Sequence, residues 1–276
     1  MKMAVIQMNS VRDSAANIAV AKNLMTRAVT EDGADWLLLP EHFHWAGGTI
    51  KDRHEAAEVL GDGPAYQMCA QFAQDHQVFV HAGSIFERSA DEPRIYNTTV
   101  AFGRDGEELA RYRKIHLFDI VGPDGTSYRE SDTVAPGSEA ITYDADGVTV
   151  GCTICYDLRF PALFQRLVAK GAQVIALPAA FTLQTGKDHW EPLIRARAIE
   201  TQTYLAASGS CGVVEYEGKP HWTYGHSMIV DPWGHVVAMT SDGNGSATHR
   251  FEAERIARVR RDIPVSDYLP RIGGAA

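Results

Sequence analysis

Short hydrophobic runs alternate along the chain with segments in which hydrophobic residues recur every three or four positions. Residues 36–39, Trp-Leu-Leu-Leu, form an uninterrupted hydrophobic run, which is typical of a strand covered on both faces. Residues 17–29 show the helical spacing instead. We predict further strands at residues 3–7, 78–86, 98–102, 148–154 and 171–178, a helix beginning at Pro161 and a hairpin within residues 226–239. This alternation of strands and helices predicts an α/β fold.

Two segments of the chain share one pattern. Residues 171–178 repeat the order of residues 33–40, because each segment follows a helical pattern, contains a hydrophobic run and ends at proline. The repeat indicates two similar halves packed as layers, and chance agreement is the alternative. With 276 residues, 45% of them hydrophobic, the chain is expected to form a single domain over residues 1–276. Residues 262–276 contain two prolines and are predicted to form a C-terminal arm.

Charge and cysteine usage narrow the classes of function. A net charge of -9 at pH 7 argues against nucleic acid as a partner. No hydrophobic run of about 18 residues is present, so we expect no membrane span. The first residues enter a strand pattern at once and resemble neither a signal peptide nor a transit peptide. The few cysteines do not resemble a disulfide framework. We therefore expect a cytoplasmic protein with reduced cysteines.

Three residues could take part in catalysis, although two of them have a simpler interpretation when taken alone. Glu41 follows a predicted strand end, where ligands bind in α/β folds and a carboxylate could act as a general base; alone, a solvated loop carboxylate is simpler. Alternation places Lys114 on the face opposite Arg113, where it could hold an oxyanion; alone, an exposed residue on an edge strand is simpler. Cys155 lies between a predicted strand and a predicted helix, and the positive end of that helix favours a thiolate.

Cys152 and Cys155 form a Cys-x-x-Cys pair, which raises redox and zinc chemistry as alternatives. Residues three apart on a strand point to opposite faces, so the two sulfurs would diverge. No second cysteine pair completes a zinc site. His42, His44 and His116 do not show a recognised ligand spacing, and we expect them to pack or to support neighbouring residues. No metal is expected.

Three ordered segments resemble the catalytic segments of the nitrilase superfamily of carbon–nitrogen hydrolases. These segments are Pro40-Glu41, residues 113–118 and residues 151–161. The resemblance continues through residues 128–132, 189–191, 195–204 and 224–234, so it covers nearly the whole chain. It implies a four-layer α-β-β-α sandwich, which agrees with the repeated half-pattern.

The resemblance also implies a role for each site residue. Glu41 corresponds to the general base, Lys114 to the oxyanion-stabilising residue and Cys155 to the nucleophile. Glu130 would position the substrate or Lys114, and the backbone N–H of Tyr156 would complete the oxyanion hole. Such residues hydrolyse an amide to a carboxylic acid and ammonia through a thioester on the cysteine, and no metal or organic cofactor is required.

The residues that follow the nucleophile favour amides over nitriles as substrates. True nitrilases usually carry Cys-Trp-Glu, whereas this chain has Cys155-Tyr-Asp; carbamoylases tend to carry Arg where Leu158 stands. The sequence Cys-Tyr-Asp-Leu-Arg-Phe-Pro resembles the branch that holds deaminated glutathione amidases and omega-amidases. Residues 195–202 and 225–234 are more similar to the former. Omega-amidase activity on α-ketoglutaramate-type substrates, or another aliphatic amidase or carbamoylase activity, is the alternative.

Both candidate substrates carry carboxylates, so the pocket is expected to present a cation or N–H donors. Candidates for this role are Arg159, Arg113 and Lys187. Candidates for lining the pocket follow the predicted strand at 171–178, and they are Phe181, Thr182, His189 and Trp190. The alternative for these residues is a role in bracing the fold or in the hydrophobic core.

The resemblance further implies an oligomer and leaves two other functions open. Family members pair through helices that correspond to residues 161–169 and 191–200, so we expect a homodimer or a larger even homo-oligomer. A catalytically silent binding or scaffold protein is one alternative, and the presence of Glu41, Lys114 and Cys155 argues against it. The glutaminase half of a larger synthetase is the other, and the synthetase would then be a separate partner.

Overall fold

The computed structural model describes residues 1–121, 125 and 127–265. The strands are β1 (Lys2–Gln7), β2 (Trp36–Leu38), β3 (Phe79–His81), β4 (Ile85–Ser89), β5 (Glu92–Phe102), β6 (Glu108–Arg113), β7 (Asp119–Val121), β8 (Ser127–Arg129), β9 (Val134–Ala135), β10 (Thr142–Ala145), β11 (Val148–Cys152), β12 (Val174–Ala179), β13 (Tyr204–Gly209), β14 (Cys211–Tyr216), β15 (Lys219–Tyr224), β16 (Met228–Val230), β17 (Val236–Met239) and β18 (Gly245–Arg250). The helices are α1 (Ser14–Thr30), α2 (Ile50–Glu55), α3 (Pro64–His76), α4 (Pro161–Ala169), α5 (Leu183–Thr201) and α6 (Ala253–Asp262). Two 3-10 turns span Glu130–Asp132 and Cys155–Arg159.

Two large sheets form the centre of the fold. The first has the order β18-β1-β2-β3-β5-β4, with β6 and β9 also paired to β5, and the second has the order β10-β11-β12-β13-β16-β17. The central strands β1, β2 and β3 are parallel to one another, as are β11, β12 and β13. Parallel strands joined by helices bring the carboxyl ends of several strands to one edge, which is where ligands bind in such folds.

The alternation of side chains along each strand produces the layers. In β1, Met3 and Val5 enter the hydrophobic core that the two sheets share, whereas Ala4 and Ile6 pack in a second core with helices α1 and α3. Helices α4 and α5 contribute to the first core from the outer face of the second sheet. Each fully buried aliphatic side chain of this kind stabilises the fold by about 1.5–3 kcal/mol. The predicted four-layer α-β-β-α sandwich is confirmed.

The predicted strand over residues 78–86 is two strands in the structure. The break falls at Gly83, whose φ of 49° lies in the left-handed region that favours glycine. A Cβ atom at Gly83 would also collide with the backbone carbonyl oxygen of Pro40. Glycine at this position therefore allows the chain to pass close to Pro40, the residue before Glu41. The hydrophobic pattern of residues 78–86 does not reveal this break.

The predicted hairpin and the predicted strand at residues 98–102 are both present in the structure. The hairpin within residues 226–239 is present as β16 and β17, and the strand predicted at 98–102 is the end of the longer strand β5. Of the predicted C-terminal arm, residues 266–276 lie outside the described residues, and Asp262 is the last residue of α6. Among the described helices, none combines the length and the hydrophobicity that crossing a membrane requires.

We predict that Gly83→Ala lowers the free energy of unfolding by more than Gly147→Ala does. Gly147 has a φ of 82°, and a Cβ there would meet no atom within 4 Å, so this control reports only the left-handed backbone, which costs about 1–2 kcal/mol. Gly83→Ala adds a collision with the Pro40 carbonyl. Denaturant unfolding of the three proteins measures the difference, and equal losses in both variants would contradict a steric role for Gly83.

Candidate active site

Four segments from both sheets converge on one group of buried side chains. Glu41 follows β2, Lys114 follows β6, Glu130 begins a 3-10 turn and Cys155 follows β11. Glu41, Lys114 and Cys155 are all less than a tenth exposed. Lys114 is held by its own backbone as well, because its N–H donates to the Asn97 carbonyl at 2.9 Å and its carbonyl accepts from a neighbouring loop. The structure thus brings together the residues that the sequence predicted for catalysis.

The Lys114 ammonium lies between two carboxylates. Its Nζ is 3.2 Å from Oε1 of Glu41 and 2.9 Å from Oε2 of Glu130. Burial opposes the charged form of Lys114, yet the negative charges of Glu130 and Glu41 hold the pKa of the ammonium well above its ordinary value. Lys114 is therefore a permanent cation, and such a buried cation is stable only because two anions accompany it.

Glu41 is an ionised carboxylate in a buried position. Burial alone would raise its pKa, but the positive charge of Lys114, supported by the hydrogen bond from Asn97, lowers the pKa to about 2. The Asn97 amide donates to Oε1 of Glu41 at 2.9 Å. The carboxylate is consequently free of a proton at neutral pH, as a proton acceptor must be.

Cys155 occupies a strained turn. Its φ of 48° places a non-glycine residue in the left-handed region, a conformation that persists only where the surroundings enforce it. Burial and the charge of Glu41 raise the pKa of the thiol well above its ordinary value, while Lys114 and the Ala180 backbone N–H act in the opposite direction. The resting thiol is therefore protonated, and it lies close enough to Glu41 to feel the charge of that carboxylate. Proton transfer to Glu41 would therefore accompany any attack by the sulfur.

Asp157 connects the turn at Cys155 to the segment that carries Lys114. Its fully buried carboxylate accepts hydrogen bonds from the Ile154 N–H at 2.9 Å and from the Tyr112 hydroxyl at 2.6 Å. It also accepts from the His116 N–H at 3.1 Å. Ile154 precedes the cysteine, whereas Tyr112 and His116 flank Lys114 on its two sides. One carboxylate thereby sets the relative position of the thiol and the ammonium.

Glu41, His42 and Glu130 offer ligand atoms within 4.8 Å of one another, a spacing that could suit a metal ion. The Lys114 ammonium already contacts both carboxylates. Burial lowers the pKa of His42 to about 4, so its ring is neutral near pH 7. The positive charge that these carboxylates require is thus supplied by the protein itself.

A cavity of about 710 Å³ opens above these residues. Tyr156, Arg159, Phe181 and Thr182 all line it, together with the four converging residues. Arg159 lies over the rings of Tyr156 and Phe181, with the guanidinium carbon 5.8 and 5.5 Å from the ring centroids. Two short hairpins outside the main sheets, β7–β8 and β14–β15, also border the cavity.

Other candidates from the sequence lie apart from the cavity lining. His189 contacts Arg159 from behind, with Nδ1 3.3 Å from the guanidinium. Arg113 points away from Lys114 and pairs with Glu87 at 2.6 Å, and Lys187 is exposed, 3.6 Å from Asp188. Trp190 is buried and donates its indole N–H to the His226 carbonyl.

Sequence reasoning missed several residues of the site. Asn97 gives no clear signal in the sequence, because two threonines follow it, and only the structure shows that this end of β5 is buried. Asp157 was noted only as a family marker, and its hydrogen bonds join residues 41 and 45 positions apart in the chain. Arg53 and Tyr216 show no local pattern, because their places in the cavity depend on how α2 and the β14–β15 hairpin pack.

Comparison with known proteins finds relatives that all belong to one family of hydrolases. The family model described as carbon-nitrogen hydrolase matches residues 2–261. A deaminated glutathione amidase from Synechocystis sp. is 38% identical over 264 residues, which is 95% of each chain. The omega-amidase NIT2 of Homo sapiens is 36% identical over 264 residues, or 96% of this chain and 93% of that protein. Nit3 of Saccharomyces cerevisiae, a member of branch 10 of the nitrilase superfamily, has a crystal structure that matches with a TM-score of 0.87 at 30% identity, covering 96% of this chain and 95% of that chain.

We predict that Asp157→Asn lowers kcat on an amide substrate by roughly tenfold or more and destabilises the protein by about 1–3 kcal/mol, because the amide NH₂ cannot accept the hydrogen bonds that a carboxylate oxygen accepts. The rate at which iodoacetamide alkylates Cys155 in the folded protein reports whether the turn that carries Cys155 keeps its position. Asp188→Asn, an exposed change on α5, is the matched control. A destabilised Asp157→Asn protein that keeps the wild-type kcat and alkylation rate would contradict the positioning role.

Proposed function

The chain belongs to the carbon-nitrogen hydrolase family and is an amidase, and from this premise we propose that Glu41, Lys114 and Cys155 carry out amide hydrolysis through a thioester. The observation that supports the roles most directly is the buried group in which Lys114 contacts Glu41 and Glu130, with Cys155 lining the same cavity beside them. This group lies at the base of the 710 Å³ cavity.

The first step is attack on the amide carbon. The Cys155 sulfur forms a bond to the carbonyl carbon as its proton passes to the Glu41 carboxylate, and the carbonyl π electrons move to oxygen. The resulting oxyanion is stabilised by the Lys114 ammonium and by the backbone N–H of Tyr156. Loss of one such donor typically costs about 10²–10³ in rate.

The second step breaks the carbon–nitrogen bond. Protonated Glu41 returns its proton to the nitrogen, the oxyanion reforms the carbonyl, and the amine leaves as ammonia from a primary amide. The acyl group remains on Cys155 as a thioester. Glu130 accepts a hydrogen bond from the Lys114 ammonium at 2.9 Å, and in this mechanism it positions Lys114.

The third step releases the acid. Glu41 accepts a proton from water as the water oxygen attacks the thioester carbon, and Lys114 again stabilises the oxyanion. The carbon–sulfur bond then breaks, and Glu41 returns the proton to the sulfur. The carboxylic acid leaves and the enzyme regains its starting protonation state without any cofactor.

We propose that the substrate is a small omega-amide of a carboxylic acid, most similar to deaminated glutathione. The relatives that support this choice are named deaminated glutathione amidase and omega-amidase NIT2. Arg159 supports it from the cavity, because no carboxylate among the described residues pairs with its guanidinium and a substrate carboxylate could do so. Phe181 and Thr182 would line the part of the cavity that holds the acyl chain of the substrate. The second candidate substrate is α-ketoglutaramate.

The test measures acid release from deaminated glutathione, α-ketoglutaramate and glutamine by wild type and by Cys155→Ala. Deaminated glutathione and α-ketoglutaramate would release the same keto acid, so one assay for that acid compares them. The leaving groups differ, because deaminated glutathione releases a dipeptide amine and α-ketoglutaramate releases ammonia. We expect wild type to prefer deaminated glutathione and Cys155→Ala to be at least about 10³-fold slower. Equally slow release by both proteins would favour the scaffold alternative, and a preference for glutamine would favour the glutaminase alternative.

We also propose that the protein forms a homodimer or a larger even assembly through α4 and α5. Ile199 on α5 and the neighbouring Trp233 are half exposed, at 50% and 43%, and hydrophobic surface of this kind is typical of contacts between subunits. Light scattering should give at least twice the 30.3 kDa chain mass. Ile199→Glu should shift the population towards monomer, whereas Val121→Glu, at an exposed position on β7, should not. A monomeric wild type at micromolar concentration would contradict the proposal.

A further inference from the structure

Arg53 is one of several cations that line the active-site cavity, and it is distinct from Lys114 and Arg159. It lies on α2, it is partly buried, and it lines the same cavity as Glu41, His42 and Cys155. Its guanidinium carbon lies 5.5 Å from the centroid of the Phe86 ring and 5.8 Å from that of Tyr216. Aromatic faces hold a guanidinium in place without neutralising its charge.

No carboxylate among the described residues forms an ion pair with Arg53. The acidic neighbours on its own helix are paired elsewhere, Asp52 with Arg12 at 3.0 Å and Glu55 with Lys51 at 3.6 Å. The buried carboxylates of the cavity, Glu41 and Glu130, are both paired with Lys114. A partly buried guanidinium with fixed orientation and no carboxylate partner is suited to bind an anionic group from outside the protein.

Arg53 and Arg159 lie on different walls of the cavity. Arg53 packs against Phe86 of β4, beside His42, whose ring centroid is 4.4 Å from that of Phe86. This wall belongs to the first sheet, which also supplies Glu41. Arg159 packs against Tyr156 and Phe181, on the wall that the second sheet and Cys155 supply.

In the proposed mechanism, the two walls of the cavity contact different parts of the substrate. Glu41 must return a proton to the leaving nitrogen, so the leaving amine lies on the Glu41 wall. The acyl carbon is bonded to Cys155 in the thioester, so the acyl chain extends along the wall that holds Arg159. Resting on the proposed function, we infer that Arg53 binds a carboxylate on the leaving amine, which makes the preferred substrate a secondary amide of an amino acid or short peptide.

Two matched probes isolate this contact. Glutarylglycine carries a carboxylate on the leaving amine, glutarylglycinamide replaces that carboxylate by a neutral amide of similar size, and both release glutarate. We expect wild type to hydrolyse glutarylglycine with the higher kcat/KM. Arg53→Met should lower kcat/KM for glutarylglycine by roughly 10- to 100-fold, mainly through KM, and change that for glutarylglycinamide by less than about threefold.

Control variants separate this role from others. Arg53→Lys should recover part of the loss, and Lys51→Met, which removes an exposed cation from the same helix, should leave both rates unchanged. Calorimetric binding of glutarylglycine to Cys155→Ala, with and without Arg53→Met, gives a second measurement that does not depend on turnover. An equal loss on both probes, or none on either, would overturn the inference.

The primary amide glutaramate distinguishes failure of the inference from failure of the proposed function. If wild type cleaves glutaramate with dependence on Cys155 but shows no preference for glutarylglycine over glutarylglycinamide, the assignment of Arg53 is wrong and the amidase mechanism stands. If none of these amides nor deaminated glutathione is cleaved faster by wild type than by Cys155→Ala, the proposed mechanism itself is wrong.

Discussion

The buried Lys114 ammonium is the constraint on which the rest of the site depends. Removing such a charge from water costs several kcal/mol, so it must meet compensating anions wherever the fold places it. Its two carboxylate partners are 73 and 16 residues away in the chain. The ends of β2 and β6 and the turn at Glu130 must therefore converge before the ammonium is stable, which couples formation of the site to formation of the first sheet.

The same interactions determine the protonation states that the chemistry uses. Lys114 keeps Glu41 ionised in a buried position, and burial together with the charge of Glu41 raises the pKa of the Cys155 thiol and keeps it protonated. In the proposed mechanism, the base and the nucleophile thus begin with the proton on sulfur. In the proposed mechanism Lys114 is already charged and in place when the oxyanion forms, so little reorganisation is required.

Contacts between the two sheets fix the position of Cys155 relative to Glu41 and Lys114. Asp157 links the second-sheet turn to the strand that leads to Lys114, and the Ser210 hydroxyl after β13 donates to the Glu41 carbonyl at 2.9 Å. Farther into the core, the Trp36 indole donates to the Tyr143 hydroxyl at 2.9 Å, which again joins the first sheet to the second. Cys155 can therefore hold its left-handed backbone because the elements on both sides of it are fixed.

By itself, the sequence determined the fold class and the places of most strands and helices, because hydrophobic periodicity is local. It also predicted Glu41, Lys114 and Cys155 as site residues, because each lies within a short motif that can be read without the fold. It did not reveal the break at Gly83, since the obstacle there is the carbonyl of Pro40, 43 residues earlier in the chain. It also could not separate Arg159, which faces the cavity, from Arg113, which pairs with Glu87. Asn97, Asp157 and Arg53 gained their places only in the tertiary structure, because hydrogen bonds and charge pairs between distant segments exist only once the two sheets have packed.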